Sequence, residues 1–399
     1  MESMLKREHV QPEAGAWNRT VATLFVVAVV AAAASAFGFF RDREQFAFSY
    51  LVSFAFFLSL SLAGLFFVML QHLTRAGWSV AVRRVAESMG MTVPAFVILF
   101  LPVALGIHDL YHWSHADVME HDALLRHKEP FLNSTFFLVR AAVYFVVWGV
   151  LARYFYVTSV RQDQSRDPRL TVVMQRRSAP GMVLFAFTLT FMSFDWIMSL
   201  DPHWYSTIFG VYIFSGSALA GFAVIFLVVR GVQGAGYLRD IVRLDHYRDL
   251  GRLLFAFTVF WAYIAFSQYF LIWYGNIPEE TVFFVDRLEG SWRAVTMVLA
   301  AGHFGVPFLL LMSRWTKNKP AIIGLMAVWI LVMHYLDVYW LIMPVLHREG
   351  VRLNWMDFAC MGTVGAVFLA LLIRQLGSRP LVPVGDPRLA ESLRFQSDY

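Results

Sequence analysis

Ten apolar stretches, each near the roughly 20 residues that cross a bilayer, constrain this chain more than any other feature. They cover residues 16–39, 48–71, 93–107, 133–154, 181–200, 207–229, 253–273, 294–312, 321–343 and 355–374. Lipid leaves no partner for an unpaired backbone N–H or C=O, so only helices and closed barrels span it. Runs this long select helices, and the fold class read from them is all-α and polytopic. The third run is the shortest and holds Pro94 and Pro102. The chain is 58% hydrophobic and only 15% charged, against about a quarter charged in soluble domains. Its net charge of +5 is dispersed among short connections, which excludes a nucleic-acid partner. A single cysteine, Cys360, excludes an internal disulfide and an iron–sulfur cluster ligated within the chain. The first apolar run is too long, and followed by too many others, for a cleavable signal peptide.

Residues 1–376 therefore read as one ten-span membrane domain. Residues 377–399, with Pro380, Pro383 and Pro387, read as an extended cytoplasmic arm, lying on a neighbouring subunit or mobile. Placing both termini and the even-numbered connections on one side gathers 24 of the 33 Lys and Arg there. The positive-inside rule makes that side cytoplasmic. The odd connections then face outward. One of them, Phe194–Gly221, carries Asp195, Asp201 and His203, no Lys or Arg, and a bracket of Trp196, Trp204 and Tyr205. Two longer ones, His108–Asp122 and Trp273–Gly290, are acidic and aromatic. Asp201, His203, His108, His112, Glu279 and Glu280 are the candidate docking residues of this outer face.

Ionisable groups inside apolar spans are costly and are functional candidates by default. Helical rise puts Arg140, Asp195 and Asp337 roughly 8–10 Å below the outer end, and His303 and His334 roughly 14–16 Å below it. Gln268, Tyr335, Tyr339 and Asp357 share this outer half. His334 and Asp337 lie three residues apart, hence on one helix face. His303 stands four residues before Pro307, whose missing N–H frees the His303 carbonyl. The functional reading is a quinol pocket or proton-transfer cluster formed by His334, Asp337, His303, Asp195, Arg140, Tyr335 and Gln268. The bland reading of Arg140 is an ion pair with Asp195 or Asp337 that locks helices. A b-type haem on His303 and His334, or a metal on His108, His112 and His115, fits less well, and neither haem nor metal is assigned to the chain.

Two segments carry a family resemblance. Ser193–Tyr212 (S-F-D-W-I-M-S-L-D-P-H-W-Y-S-T-I-F-G-V-Y) and Gln268–Thr281 (Q-Y-F-L-I-W-Y-G-N-I-P-E-E-T) resemble the ActF-type membrane subunit of bacterial alternative complex III. That complex is a respiratory quinol:cytochrome c oxidoreductase, and the subunit belongs with the NrfD-like quinone-interacting membrane proteins. The resemblance implies two four-helix bundles, spans 2–5 and 6–9, flanked by spans 1 and 10. It also implies the bacterial cytoplasmic (inner) membrane. The expected partners are an ActC-like membrane subunit, multihaem and monohaem cytochrome c subunits, an iron–sulfur subunit and membrane lipid. Haems and iron–sulfur clusters are expected only in those partners. This chain is expected to bind nothing covalently, its exchangeable ligand being a quinone such as menaquinone. The expected role is quinone interaction, proton transfer or both near the outer face, without catalysis by the chain alone. The alternatives are a non-redox scaffold or proton-conducting subunit of the same complex, and a stand-alone transporter.

Overall fold

A computed structural model describes residues 7–13 and 15–397. Among the described residues, ten helices are long and apolar enough to cross a membrane. They are α1 (Asn18–Arg41), α2 (Arg43–Leu73), α3 (Val80–Leu105), α4 (Ser134–Ser165), α5 (Pro168–Leu200), α6 (Phe209–Gly234), α7 (Leu244–Gly275), α8 (Trp292–Met312), α9 (Pro320–Leu346) and α10 (Trp355–Ser378). The chain is thus an all-α polytopic membrane protein. α2 to α5 pack on one another, as do α6 to α9, and α2 meets α6 and α9 at the seam. α10 packs on α1 and α2.

α2 is apolar on every side, as befits a helix surrounded by others, and nearly all of it is buried. Small residues bring helices together here, as between helices in lipid. A Cβ on Gly221 of α6 would lie 2.1 Å from that of Ala63 on α2. Ser35 of α1 and Thr363 of α10 share a hydrogen bond of 3.0 Å.

The third span differs from the sequence expectation. It begins at Val80 rather than Val93, its regular turns interrupted by a 3₁₀ turn over Val93–Ala95 at Pro94. The added turns hold Arg83, Arg84 and Glu87, all buried. They escape the cost of burial by pairing. Arg83 and Arg84 each reach Glu87 at 3.3 Å, Arg84 reaches Asp163 of α4 at 2.5 Å, and Arg83 pairs with Asp386.

Asp386 lies in the C-terminal arm, which is folded onto its own chain. Leu381 N–H donates to Val10 O at 2.7 Å. Leu381, Val382, Leu389 and Leu393 are buried. Ser392 donates to Trp78 O at 2.6 Å. The three prolines shape the arm, and buried leucines with one buried carboxylate hold it down. The face that carries residues 9–10 and 379–397 is called the terminal face below, and the opposite one the distal face.

Candidate functional site

The in-span candidates Arg140, Asp195, Asp337, His303 and His334 separate into two clusters, one per bundle. In the first, Arg140 of α4 donates from Nε and Nη2 to the two oxygens of Asp195 on α5, each at 2.8 Å. Tyr144, one turn along α4, donates to the same carboxylate at 2.5 Å. Phe131 and Phe136 lie 3.9 and 4.2 Å from the guanidinium carbon. A two-pronged ion pair with aromatic cover is how a buried guanidinium avoids the cost of standing alone. The expected ion pair is present, and Asp195 is the partner. Asp337 is not part of it.

The second cluster centres on Asp337 of α9. Its Oδ1 accepts from the Tyr212 hydroxyl of α6 at 2.5 Å and its Oδ2 from Trp261 Nε1 of α7 at 3.2 Å. The Trp261 ring stacks on His303 of α8, centroids 4.1 Å apart. His303 sits in a π-helical turn, Ala300–Gly305, which ends two residues before Pro307. The proline leaves the His303 carbonyl without its usual donor, and the wider turn absorbs the defect. His303 and His334 are 6.4 Å apart between ring centroids. His334 Nε2 lies 3.0 Å from Ser59 Oγ of α2.

Beside this cluster lies a cavity of about 620 Å³. α7 and α8 form its sides, the short helix Pro278–Leu288 its roof, and Tyr212 and Trp340 its back wall. Most of the lining is apolar or aromatic. Tyr263, Phe266 and Met297 on its rim are largely exposed on the flank of the bundle, so the cavity opens sideways between two membrane helices. Gln268 also lines it, buried, with no donor to its side-chain oxygen among the described residues. Such a concave apolar space with a few convergent polar groups is the usual form of a small-molecule site.

The roof is anchored by Arg287. Its Nε and Nη2 donate to the carbonyls of Trp340 and Leu341 at 3.1 and 2.8 Å. Pro344 removes the N–H that the Trp340 carbonyl would otherwise accept from, and Arg287 replaces it. Trp204 ties the 201–208 turn to the same roof, stacked on Phe283 at 4.0 Å and donating to Glu280 O at 3.1 Å.

Tyr335 does not join the cluster. It packs edge-on to Phe56 of α2, centroids 5.4 Å apart, and Tyr339 donates to Arg352 O at 3.0 Å. Tyr212 and Trp261, which the sequence reading did not single out, supply the donors instead. The distal-face residues are spread out. His203 lies 2.6 Å from Asp122. Glu279 and His112 are exposed, while Asp201 and Glu280 are half-buried. His108 pairs with Ser114 at 3.0 Å. His108, His112 and His115 do not form one helical face, because the helix ends at Leu110 and a 3₁₀ turn follows. The Asp122 carboxyl is held below its ordinary value by the His203 hydrogen bond and then by the N–H groups of Leu125 and Leu124.

Fold and cavity together define a multi-pass helical membrane protein with a lateral, lipid-facing pocket backed by a buried carboxylate. No family model matches the chain, and a search of curated proteins finds no match.

Proposed function

We propose that the chain is the quinone-interacting membrane subunit of a respiratory quinol:electron-acceptor oxidoreductase of the alternative complex III type. One observation carries this reading: the 620 Å³ lateral cavity whose lining includes Gln268 and Tyr212, the latter hydrogen-bonded to Asp337, which lies behind the wall. Its aromatic and apolar walls suit a quinone ring with the start of an isoprenoid tail. Its flank opening suits a ligand that arrives through lipid. The Gln268 oxygen lacks a donor, so it suits one ligand hydroxyl. Asp337, reached through Tyr212 and Trp261, suits the role of proton acceptor, and electrons leave to the haem and iron–sulfur partners. In this reading the distal face is the outer face of the bacterial cytoplasmic membrane, both termini are cytoplasmic, and the electron-carrying subunits dock above the cavity.

The test is quinol oxidation by the purified complex. Replacing a positioned proton acceptor commonly costs 10²–10⁴-fold. Asp337→Asn is therefore expected to slow turnover at least about tenfold, and Gln268→Leu to raise the quinol KM. An assembled Asp337→Asn complex with unaltered turnover and quinone content would leave the scaffold reading in its place.

A further inference from the structure

α4 and α5 have 32 and 33 residues, about 48 and 50 Å of helix against roughly 30 Å of hydrocarbon. Both therefore emerge from the bilayer. Counting about 20 residues along α4 from its distal end, Ser134, reaches Arg153. The same count back along α5 from Trp196, where its regular helix ends, reaches Arg177. Arg177 lies within electrostatic reach of Tyr154, the residue after Arg153. The two arginines thus stand at one level, that of the headgroups on the terminal side.

Both belong to faces that meet lipid. On α4, Val143, Val146 and Val150 are largely exposed, and their steps of three and four residues form one stripe on the flank of the bundle. Arg153, Val157 and Arg161 continue the stripe at the same steps, all exposed. On α5, Phe187, Leu184 and Val183 are largely exposed, and their face runs on through Arg177, Arg176, Val173 and Arg169, exposed as well. A face that meets acyl chains along its apolar length meets headgroups where the arginines begin.

Nothing in the chain neutralises these charges. Residues 153–177 hold six arginines and two acids. Asp163 is taken by Arg84 at 2.5 Å, and Asp167 caps α5 by accepting from Arg169 N–H at 2.9 Å. None of the six guanidinium groups has an ion pair or hydrogen bond among the described residues.

We propose that this flank binds an anionic phospholipid, its phosphate taken by Arg153 and Arg177 and its chains laid along the apolar stripes. A guanidinium offers two parallel N–H donors to a phosphate. A zwitterionic lipid carries its own cation beside the phosphate, so the preference is for a net negative headgroup. The apolar stripes, continuous with the arginines, select a lipid over an acidic protein surface. The site does not depend on what the lateral cavity binds.

Native mass spectrometry of the full chain, titrated separately with phosphatidylglycerol and phosphatidylcholine, tests this through the affinity of the first lipid bound. The wild type is expected to bind phosphatidylglycerol more tightly. An arginine near the membrane surface is worth about fivefold in attraction to anionic lipid. Arg153→Gln with Arg177→Gln should therefore lower the phosphatidylglycerol affinity at least about fivefold and leave that for phosphatidylcholine unchanged. Arg153→Lys with Arg177→Lys should keep most of the preference. Arg239→Gln, which removes an exposed charge from the 235–243 connection, should keep it all. Either single Gln variant should lose part of it, and serves if the pair fails to fold. Equal affinity of the wild type for the two lipids overturns the assignment. So does a Gln pair that keeps the preference, or an equal loss in Arg239→Gln. A structure of the native assembly with a partner chain covering Arg153 and Arg177 overturns it too.

Discussion

Arg140 and Asp337 answer the same physical problem, an ionisable group far from water, in opposite ways. Arg140 is matched by a full counter-charge with two aligned hydrogen bonds. Asp337 meets only neutral donors, a tyrosine and a tryptophan. A carboxylate with neutral partners can gain and lose a proton without breaking an ion pair, which is why the chemistry is assigned to Asp337 and a structural role to Asp195. The distinction is testable. Removing one partner of a buried pair leaves the other uncompensated and costs about 3–5 kcal/mol. Asp195→Asn should therefore lower the apparent melting temperature and the yield of folded protein, and Tyr144→Phe should do so less. Thermal unfolding followed by size-exclusion recovery checks this. An Asp195→Asn protein as stable as the wild type, with quinol oxidation lost, would reverse the two assignments.

The ten membrane helices were legible because bilayer thickness fixes the length of an apolar run, whatever its neighbours. The first half of α3 was not, because Arg83, Arg84 and Glu87 read as loop until Asp163 and Asp386, distant in sequence, neutralise them. The three-residue spacing of His334 and Asp337 places them on one side of α9, but they bond to different partners, Ser59 for His334 and Tyr212 with Trp261 for Asp337. Tyr335 was misread because it follows His334 directly, and neighbours on a helix point about 100° apart. Tyr212 and Trp261 carry no local signal in a chain that is 17% aromatic. Arg287 did have one: Pro344 predicts a freed carbonyl at Trp340. Between elements, the distal connections are joined by Asp122, which caps the helix Ala123–Lys128 and also meets His203 from the 201–208 turn. Its carboxyl is depressed below the ordinary 3.8. The clasp therefore contributes its full stabilisation above that value and loses it as pH falls through the lower, folded value. Hydrogen exchange is expected to rise in residues 116–128 only below about pH 4, and Asp122→Asn should show the raised exchange already at neutral pH. Equal exchange in variant and wild type at neutral pH would mean the clasp holds nothing.

Across the whole molecule, the terminal face is closed by its own C-terminal arm rather than by a neighbour. The arm crosses the end of α4 so closely that a Cβ on Gly385 would lie 2.0 Å from Gln162 O. It delivers Asp386 to Arg83, both groups buried, and Ser392 to His246 at the start of α7, 3.3 Å away. One segment thereby ties α3, in the first bundle, to α7, in the second, on the face opposite the lateral cavity. If the arm is a structural clamp, its energy resides in completing the α3 ion network. Asp386→Asn then leaves Arg83 sharing Glu87 with Arg84 and should destabilise the protein by about 3–5 kcal/mol. Replacing both partners removes the stranded charge, and apolar substitutes for a buried pair are often neutral or better. Arg83→Met with Asp386→Leu should thus recover most of the melting temperature lost by Asp386→Asn alone. Thermal unfolding of the two variants in the same detergent decides it. A double variant no more stable than the single one would show that the clamp depends on the charges themselves. A single variant that melts with the wild type would show that the buried leucines hold the arm without them.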